Sequence, residues 1–163
     1  PGQLAPPPGV TVVRVETTDD LMRAVSGALP SADVLIMAAA PADWRPAKPG
    51  DTKAKRGAGA LTVALEPTPD VLAATAGRRR SGALVVGFAL ETGDMVAGAR
   101  RKLEQKQLDL VVANDATEAG AGPDVATNRV AFVTRDGVEQ LPLMGKDEVA
   151  EAVLERIAAL LPR

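Results

Sequence analysis

Two lysines, Lys102 and Lys106, stand four residues apart in a stretch with helical periodicity, so both ammonium groups project from one flank. Such a pair suits a polyphosphate, and it equally suits a plain solvated helix face. A second cationic group, Lys48, Lys53, Lys55 and Arg56, falls in a segment rich in proline and glycine. It reads either as a flap that closes over an anionic reactant or as a loop kept soluble by its charge. Phe88 ends an apolar run, where an aromatic face either stacks on a base or fills the core. Asp43, after Pro41-Ala42, either hydrogen-bonds a base or ribose or terminates a strand. Thr68-Pro69-Asp70 offers helix-N-terminal amides to an anion and is also an ordinary helix start. Arg78-Arg79-Arg80 closes a helix, where cations complement the dipole without further function.

The missing residue types narrow the chemistry. The chain has no Cys, no His and no Tyr, which removes disulfides, thiol nucleophiles, imidazole bases, Ser-His-Asp triads and Cys/His zinc sites together. Chemistry is left to Lys, Arg, carboxylates, hydroxyls, backbone amides or a bound cofactor. With 19 Lys and Arg against 21 Asp and Glu, the net charge of −2 argues against general nucleic-acid binding. The most apolar stretches, Val34–Ala40 and Ala83–Leu90, fall well short of the ~18 residues of a membrane-spanning helix. Pro1–Pro8 has neither the basic nor the apolar region of a signal peptide, so a cytoplasmic protein is expected.

These residues need elements to position them. Val10–Glu16, Ala32–Ala39, Leu61–Glu66, Ala83–Leu90 and Leu108–Ala113 read as strands, the second and fourth as strands buried on both faces. Helices are expected from Thr17-Thr18-Asp19-Asp20 to about Leu29, from Thr68-Pro69-Asp70 to near Gly77, from Asp94 to about Gln107, and over Lys146–Leu161. Ala40–Ala60 and Asn114–Asn128 read as long loops, and Arg129–Arg135 with Val138–Leu141 as a hairpin turning at Asp136-Gly137. The alternation predicts one α/β domain over residues 1–163: a Rossmann-like parallel sheet with helices on both faces and an antiparallel hairpin at one edge. Ligands of such sheets bind beyond the carboxyl ends of the strands, here Met37–Asp43, Gly87–Thr92 and Ala113–Asp115. No G-x-G-x-x-G and no G-x-x-x-x-G-K-[ST] occurs. From the residues alone, the reading is an α/β domain that binds a phosphorylated nucleotide.

Taken together, the motifs are more specific. Ala38-Ala39-Ala40-Pro41-Ala42-Asp43-Trp44-Arg45-Pro46 resembles the A-A-V-A-D-[FWY]-R-P segment of phosphopantothenate–cysteine ligases. Lys53-Ala54-Lys55-Arg56 resembles their K-I-K-K flap, and Thr68-Pro69-Asp70-Val71-Leu72 their N-P-D-I-L. Gly87-Phe88-Ala89-Leu90-Glu91-Thr92 is similar to G-F-A-A-E-T. Lys102, Leu103, Lys106 and Asp109, followed by Val112-Ala113-Asn114-Asp115, keep the spacing of K-L-x-x-K-x-x-D-x-I-V-A-N.

The resemblance implies a ligase of coenzyme A biosynthesis of the bacterial, CTP-using type. Such enzymes activate the carboxylate of 4′-phosphopantothenate as an acyl-cytidylate, and the amine of L-cysteine then displaces CMP. It places Met37, Ala38, Ala39, Asp43, Pro69, Asp70, Val71, Leu72 and Phe88 at the nucleotide, with Lys102 and Lys106 on its triphosphate side and Lys53 as the catalytic flap lysine. It also implies Mg2+ on the phosphates, a homodimer, and FMN only where a flavin-dependent decarboxylase is fused or associated. Phe88, Asp43 and the Pro69–Leu72 turn are expected to line the base and ribose.

Three departures accompany the resemblance. Pro41 stands where the family has Val, and Pro123-Asp124-Val125-Ala126-Thr127-Asn128 stands where it has F-x-x-D/E-x-N. The family's opening strand and glycine-rich turn have no counterpart, so the isolated chain is expected to be inactive and to leave one strand edge unpaired. Two other readings are a dinucleotide-binding oxidoreductase with a divergent phosphate loop and a non-catalytic nucleotide-binding module.

Overall fold

In the computed structural model, residues 5–50, 52, 59–118, 120 and 125–161 are described. Along the chain run α1 (Thr18–Ala28), β1 (Val34–Met37), β2 (Trp44–Pro46), β3 (Leu65–Pro67), α2 (Val71–Ala74), β4 (Leu84–Glu91), α3 (Met95–Gln105) and β5 (Leu110–Asp115). There follow β6 (Thr127–Asn128), β7 (Ala131–Val133), β8 (Val138–Gln140), β9 (Met144–Gly145) and α4 (Lys146–Leu160). These elements form two units. One holds Leu29–Ala40 and Arg78–Arg163; the other holds the described residues up to Ala28 and Pro41–Gly77.

The first of these, the sheet unit, carries five strands in the order β1-β4-β5-β7-β8. β1, β4 and β5 are parallel, whereas β7 and β8 run antiparallel as the expected hairpin, closed by Thr134 N–H donating to the Gly137 carbonyl. The α/β class with its antiparallel edge is therefore the observed one. The apolar runs of β4 and β5 are buried on both faces because helices cover both. On one face Leu84, Val86, Leu110, Val112 and Phe132 pack with Val149, Val153 and Ile157 of α4. α3 lies against β4 and β5, with Ala99 and Leu103 buried. Each buried Val, Leu or Ile in these layers contributes about 1.5–3 kcal/mol through removal from water.

The turn that ends α3 sets the approach to β5. Gln107 takes the left-handed conformation (φ 51°), Gln107 N–H donates to Glu104 O, and Leu108 N–H donates to Leu103 O, the paired bonds of a Schellman ending. Its apolar clasp is Leu103 with Leu108, both buried. Leu108 also explains Gly87: a β-carbon at position 87 would lie 2.7 Å from Leu108 Cδ1.

Two strand expectations need correction. Residues 10–16 form no strand, and Val10, Val12 and Val13 are more than half exposed. β-branched composition favours extension, but a strand exists only with a ladder partner, and none of the described residues supplies one there. The strand within residues 32–39 is short, and it is an edge of the five-stranded sheet, with β4 as its one neighbour among the described strands. Only its Met37 is buried, and Ile36 is 41% exposed. A continuous apolar run does not distinguish a central strand from an edge. Within the loop expected over residues 40–60, β2 emerges and pairs antiparallel with β3.

The second unit relies on polar ties. At the start of α1, Thr17 Oγ1 accepts from Asp20 N–H (3.1 Å) while the Asp20 carboxylate accepts from Thr17 N–H (3.0 Å), a reciprocal cap. The Thr17 hydroxyl (2.7 Å) and N–H, both donating to the Asp20 carboxylate, and the neighbouring Arg23 lower its pKa to about 2. α1 packs on the short α2, whose Val71 and Leu72 are buried.

Candidate functional site

In the sheet unit, β1 and β4 run in register to Met37 opposite Gly87, and Phe88 is the next residue of β4. Ala38 and Ala39 continue from the end of β1 and are exposed. Phe88 is half-buried and packs against the α4-side core, so both of its sequence readings survive: part of the ring fills the core and part meets solvent. Lys102 reaches from α3 to donate its ammonium to the Phe88 carbonyl. That contact removes Lys102 from the plain solvated-face reading and joins two of the expected nucleotide residues at one point of the sheet.

Lys106 is placed differently. α3 runs back along the sheet from the carboxyl ends, and Lys106 is its C-cap, one turn beyond Lys102 and next to the amino end of β5. The expected shared flank supposed a helix through both lysines, but α3 ends at Gln105, and a spacing of four says nothing about distance along the helix axis. Arg79 then assumes an unexpected role. Its guanidinium donates to Gln107 O (3.0 Å) and Lys106 O (3.3 Å), capping α3. The dipole argument for the arginine run thus applies to a later helix. Burial holds the Arg79 guanidinium below the usual arginine range, the neighbouring Asp109 charge opposing the shift.

At the carboxyl end of β5, Asp115 accepts from Thr117 N–H (2.7 Å) and Oγ1 (2.6 Å), which lowers its carboxyl pKa. Asn114, which sequence reasoning treated only as part of a motif, donates weakly to Asn128 at 3.5 Å.

The second unit brings together the other half of the expected set. Thr68 N–H donates to the Asp43 carbonyl (2.9 Å), and the Thr68 hydroxyl donates to the Ala42 carbonyl. The Asp43 segment and the Pro69–Leu72 turn are therefore neighbours. Asp70 caps α2, accepting from Leu72 N–H (3.1 Å) and Ala73 N–H (3.3 Å). This corrects the reading of that turn as a set of amides open to an anion, because the side chain preceding them already satisfies two. Pro69 is half-buried and Asp43 exposed. Lys53, Lys55 and Arg56 lie outside the described residues; Lys48 is exposed.

No three carboxylates gather into a metal site among the described residues. An ion riding on a polyphosphate needs only one or two protein carboxylates. Of the carboxylates in the site segments, Asp70 caps its helix and Asp115 holds Thr117.

The family model of the DNA/pantothenate metabolism flavoprotein C-terminal domain matches residues 1–161. The chain belongs to this family. It is 38% identical to the coenzyme A biosynthesis bifunctional protein CoaBC of Bacillus subtilis, over 98% of this chain and 40% of that protein. It is 40% identical to CoaBC of Mycobacterium tuberculosis, over 97% of this chain and 40% of that protein. The chain thus spans about two fifths of the length of these relatives. The solved C-terminal domain of CoaBC superposes with a TM-score of 0.78 at 35% identity, covering 99% of this chain and 71% of that one. A Cab2 H337A variant in complex with phosphopantothenate-cysteine shares the fold, with a TM-score of 0.63 at 18% identity over 87% of this chain and 51% of that one.

Proposed function

We propose that this chain is the ligase part of a coenzyme A biosynthetic enzyme, joining 4′-phosphopantothenate to L-cysteine at the expense of CTP. The observation that carries the reading is the family match over residues 1–161, together with the 35% identity to the solved CoaBC C-terminal domain. The Cab2 complex, with its bound phosphopantothenate-cysteine, agrees with it.

In this reading the substrate carboxylate attacks the α-phosphorus of CTP and pyrophosphate leaves. The cysteine amine then attacks the acyl carbon, loses a proton, and CMP leaves. Neither step demands an imidazole base; both demand neutralised phosphates and an aligned carboxylate. Met37, Ala38, Ala39, Phe88 and Lys102 are the nucleotide residues of the sheet unit, with Lys106 a more remote contributor. Asp43, Pro69, Asp70, Val71 and Leu72 are those of the other unit. Lys53, on the flap, serves turnover more than ground-state binding. Mg2+ bound together with CTP would supply charge neutralisation on the phosphates.

The active species is a homodimer, and a flavin-dependent decarboxylase, with its FMN, is the expected fused or associated partner. The bifunctional names of the relatives support the fusion. Trp44, Leu61, Val63 and Leu65, each more than half exposed, are among the apolar side chains that could serve the dimer.

The test is pyrophosphate release by the intact protein with CTP, magnesium, 4′-phosphopantothenate and cysteine, resolved by omitting each in turn. Release that requires both organic substrates is expected. Absence of release, with NAD(P)H binding in its place, overturns the proposal.

A further inference from the structure

We propose that Arg45 is the positioning residue for Asp43: by bridging Asp19 and Glu66 it sets the register that holds Asp43 beside the Thr68–Leu72 turn. The inference rests on Asp43 serving the nucleotide, as proposed above.

β2 and β3 are three residues each, pairing Trp44 with Pro67, Arg45 with Glu66 and Pro46 with Leu65. The ladder is short: the Arg45–Glu66 pair lies between Thr68 N–H donating to Asp43 O (2.9 Å) and Ala47 N–H donating to Ala64 O (3.0 Å), and both prolines stand at the non-hydrogen-bonded pairs in between. Short two-stranded ribbons are marginal even with a full ladder. A slip of one residue would turn each side chain to the opposite face and separate Asp43 O from Thr68 N–H.

Arg45 opposes that slip. Its Nε donates to Glu66 Oε1 at 2.8 Å, directly across the ribbon, and its Nη1 donates to Asp19 Oδ2 at 2.6 Å on α1. One planar fork therefore engages carboxylates from two elements at once, which a lysine cannot reproduce. Both carboxylates raise the guanidinium pKa, Glu66 the more. Asp43 stands at the bend just before β2, two residues from Arg45, so the placement of β2 against β3 sets where that bend begins. An isolated exposed ion pair is a weak tie, but here it acts on geometry: a small displacement of a ligand-bearing residue is costly to binding while leaving the core intact.

The experiment compares Arg45→Gln, Arg45→Lys, Glu66→Gln and Asp43→Asn in the intact protein. It measures KM for CTP, KM for cysteine, kcat and the melting temperature. Arg45→Gln is expected to raise the CTP KM about tenfold with kcat and cysteine KM within about twofold, Arg45→Lys and Glu66→Gln falling between it and the wild type. Arg45→Gln and Asp43→Asn together are expected to cost less than the product of the two single effects, because both act through one carboxylate. If Asp43→Asn raises the CTP KM and Arg45→Gln does not, the positioning role fails while the Asp43 reading stands. If Asp43→Asn leaves the CTP KM unchanged, the Asp43 reading fails and the proposal with it. Equal losses in kcat and in both KM values, with a lower melting temperature, would make Arg45 a general stabiliser and overturn the proposal.

Discussion

The two units fold by different means. In the sheet unit, β4, β5 and β7 bury most of their side chains, and Leu110, Val111, Val112 and Val133 are fully buried. In the other unit, valines at 10, 12, 13 and 63 are more than half exposed, and order comes from the Thr17–Asp20 cap, the Asp70 cap, the Thr68 clasp and the Arg45 fork. Close packing tolerates little displacement, whereas polar ties at the surface are individually weak and adjustable. The expected nucleotide residues fall on both kinds of support. Those on the sheet are fixed by burial; those on the ribbon and α2 are set by a few hydrogen bonds.

The contrast is sharpest under mutation. Ile157→Ala, in the α4 layer of the sheet unit, is expected to cost about 2–4 kcal/mol and to lower the melting temperature of the whole domain by several degrees. Denaturant unfolding checks the value, and a loss below about 1 kcal/mol would mean that the layer is less tightly packed than its burial indicates. Lys102→Ala should weaken CTP binding about tenfold, whereas Lys106→Ala should weaken it less, because Lys102 meets Phe88 while Lys106 caps the far end of α3. Titration calorimetry at two salt concentrations checks the order, and the reverse order would place the phosphates toward the far end of α3.

Asp70→Ala, in the polar unit, should cost about 1 kcal/mol through loss of the α2 cap while leaving the sheet unit's amide protection unchanged. Hydrogen exchange reads both. The smallest effect concerns acid. Because folding lowers the Asp20 pKa from 3.8 to about 2, the cap's stabilisation is complete above about pH 4 and fades as pH falls toward 2. Asp20→Asn should abolish that part of the acid sensitivity. Its persistence in the variant would assign the acid response to other carboxylates.

This division also explains what was legible in the sequence. β4, β5, α3, α4 and the β7–β8 hairpin follow from apolar periodicity and turn chemistry, because there the burial that shapes the fold is written in the residues themselves. Residues 10–16 misled because extension needs a partner strand, which composition does not report. β2 was missed because the prolines and glycine around it conceal a strand of only three residues. Among the site residues, the juxtaposition of Asp43 with the Pro69–Leu72 turn and of Phe88 with Lys102 emerged as four separate weak signals. The Arg79 cap was invisible, since its acceptors are main-chain carbonyls 27 and 28 residues further along.

The contact of Leu108 with Gly87 carries a consequence for the history of the chain. A methyl branch of one residue occupies the space that any side chain at the other would need. The two positions are 21 residues apart, yet they constitute a single unit of variation. Alanine at position 87 becomes tolerable once position 108 loses a branch, so a second-site suppressor of Gly87→Ala belongs at Leu108. Lineages of this family that abandon the glycine before the phenylalanine should carry a smaller residue at the end of the following helix.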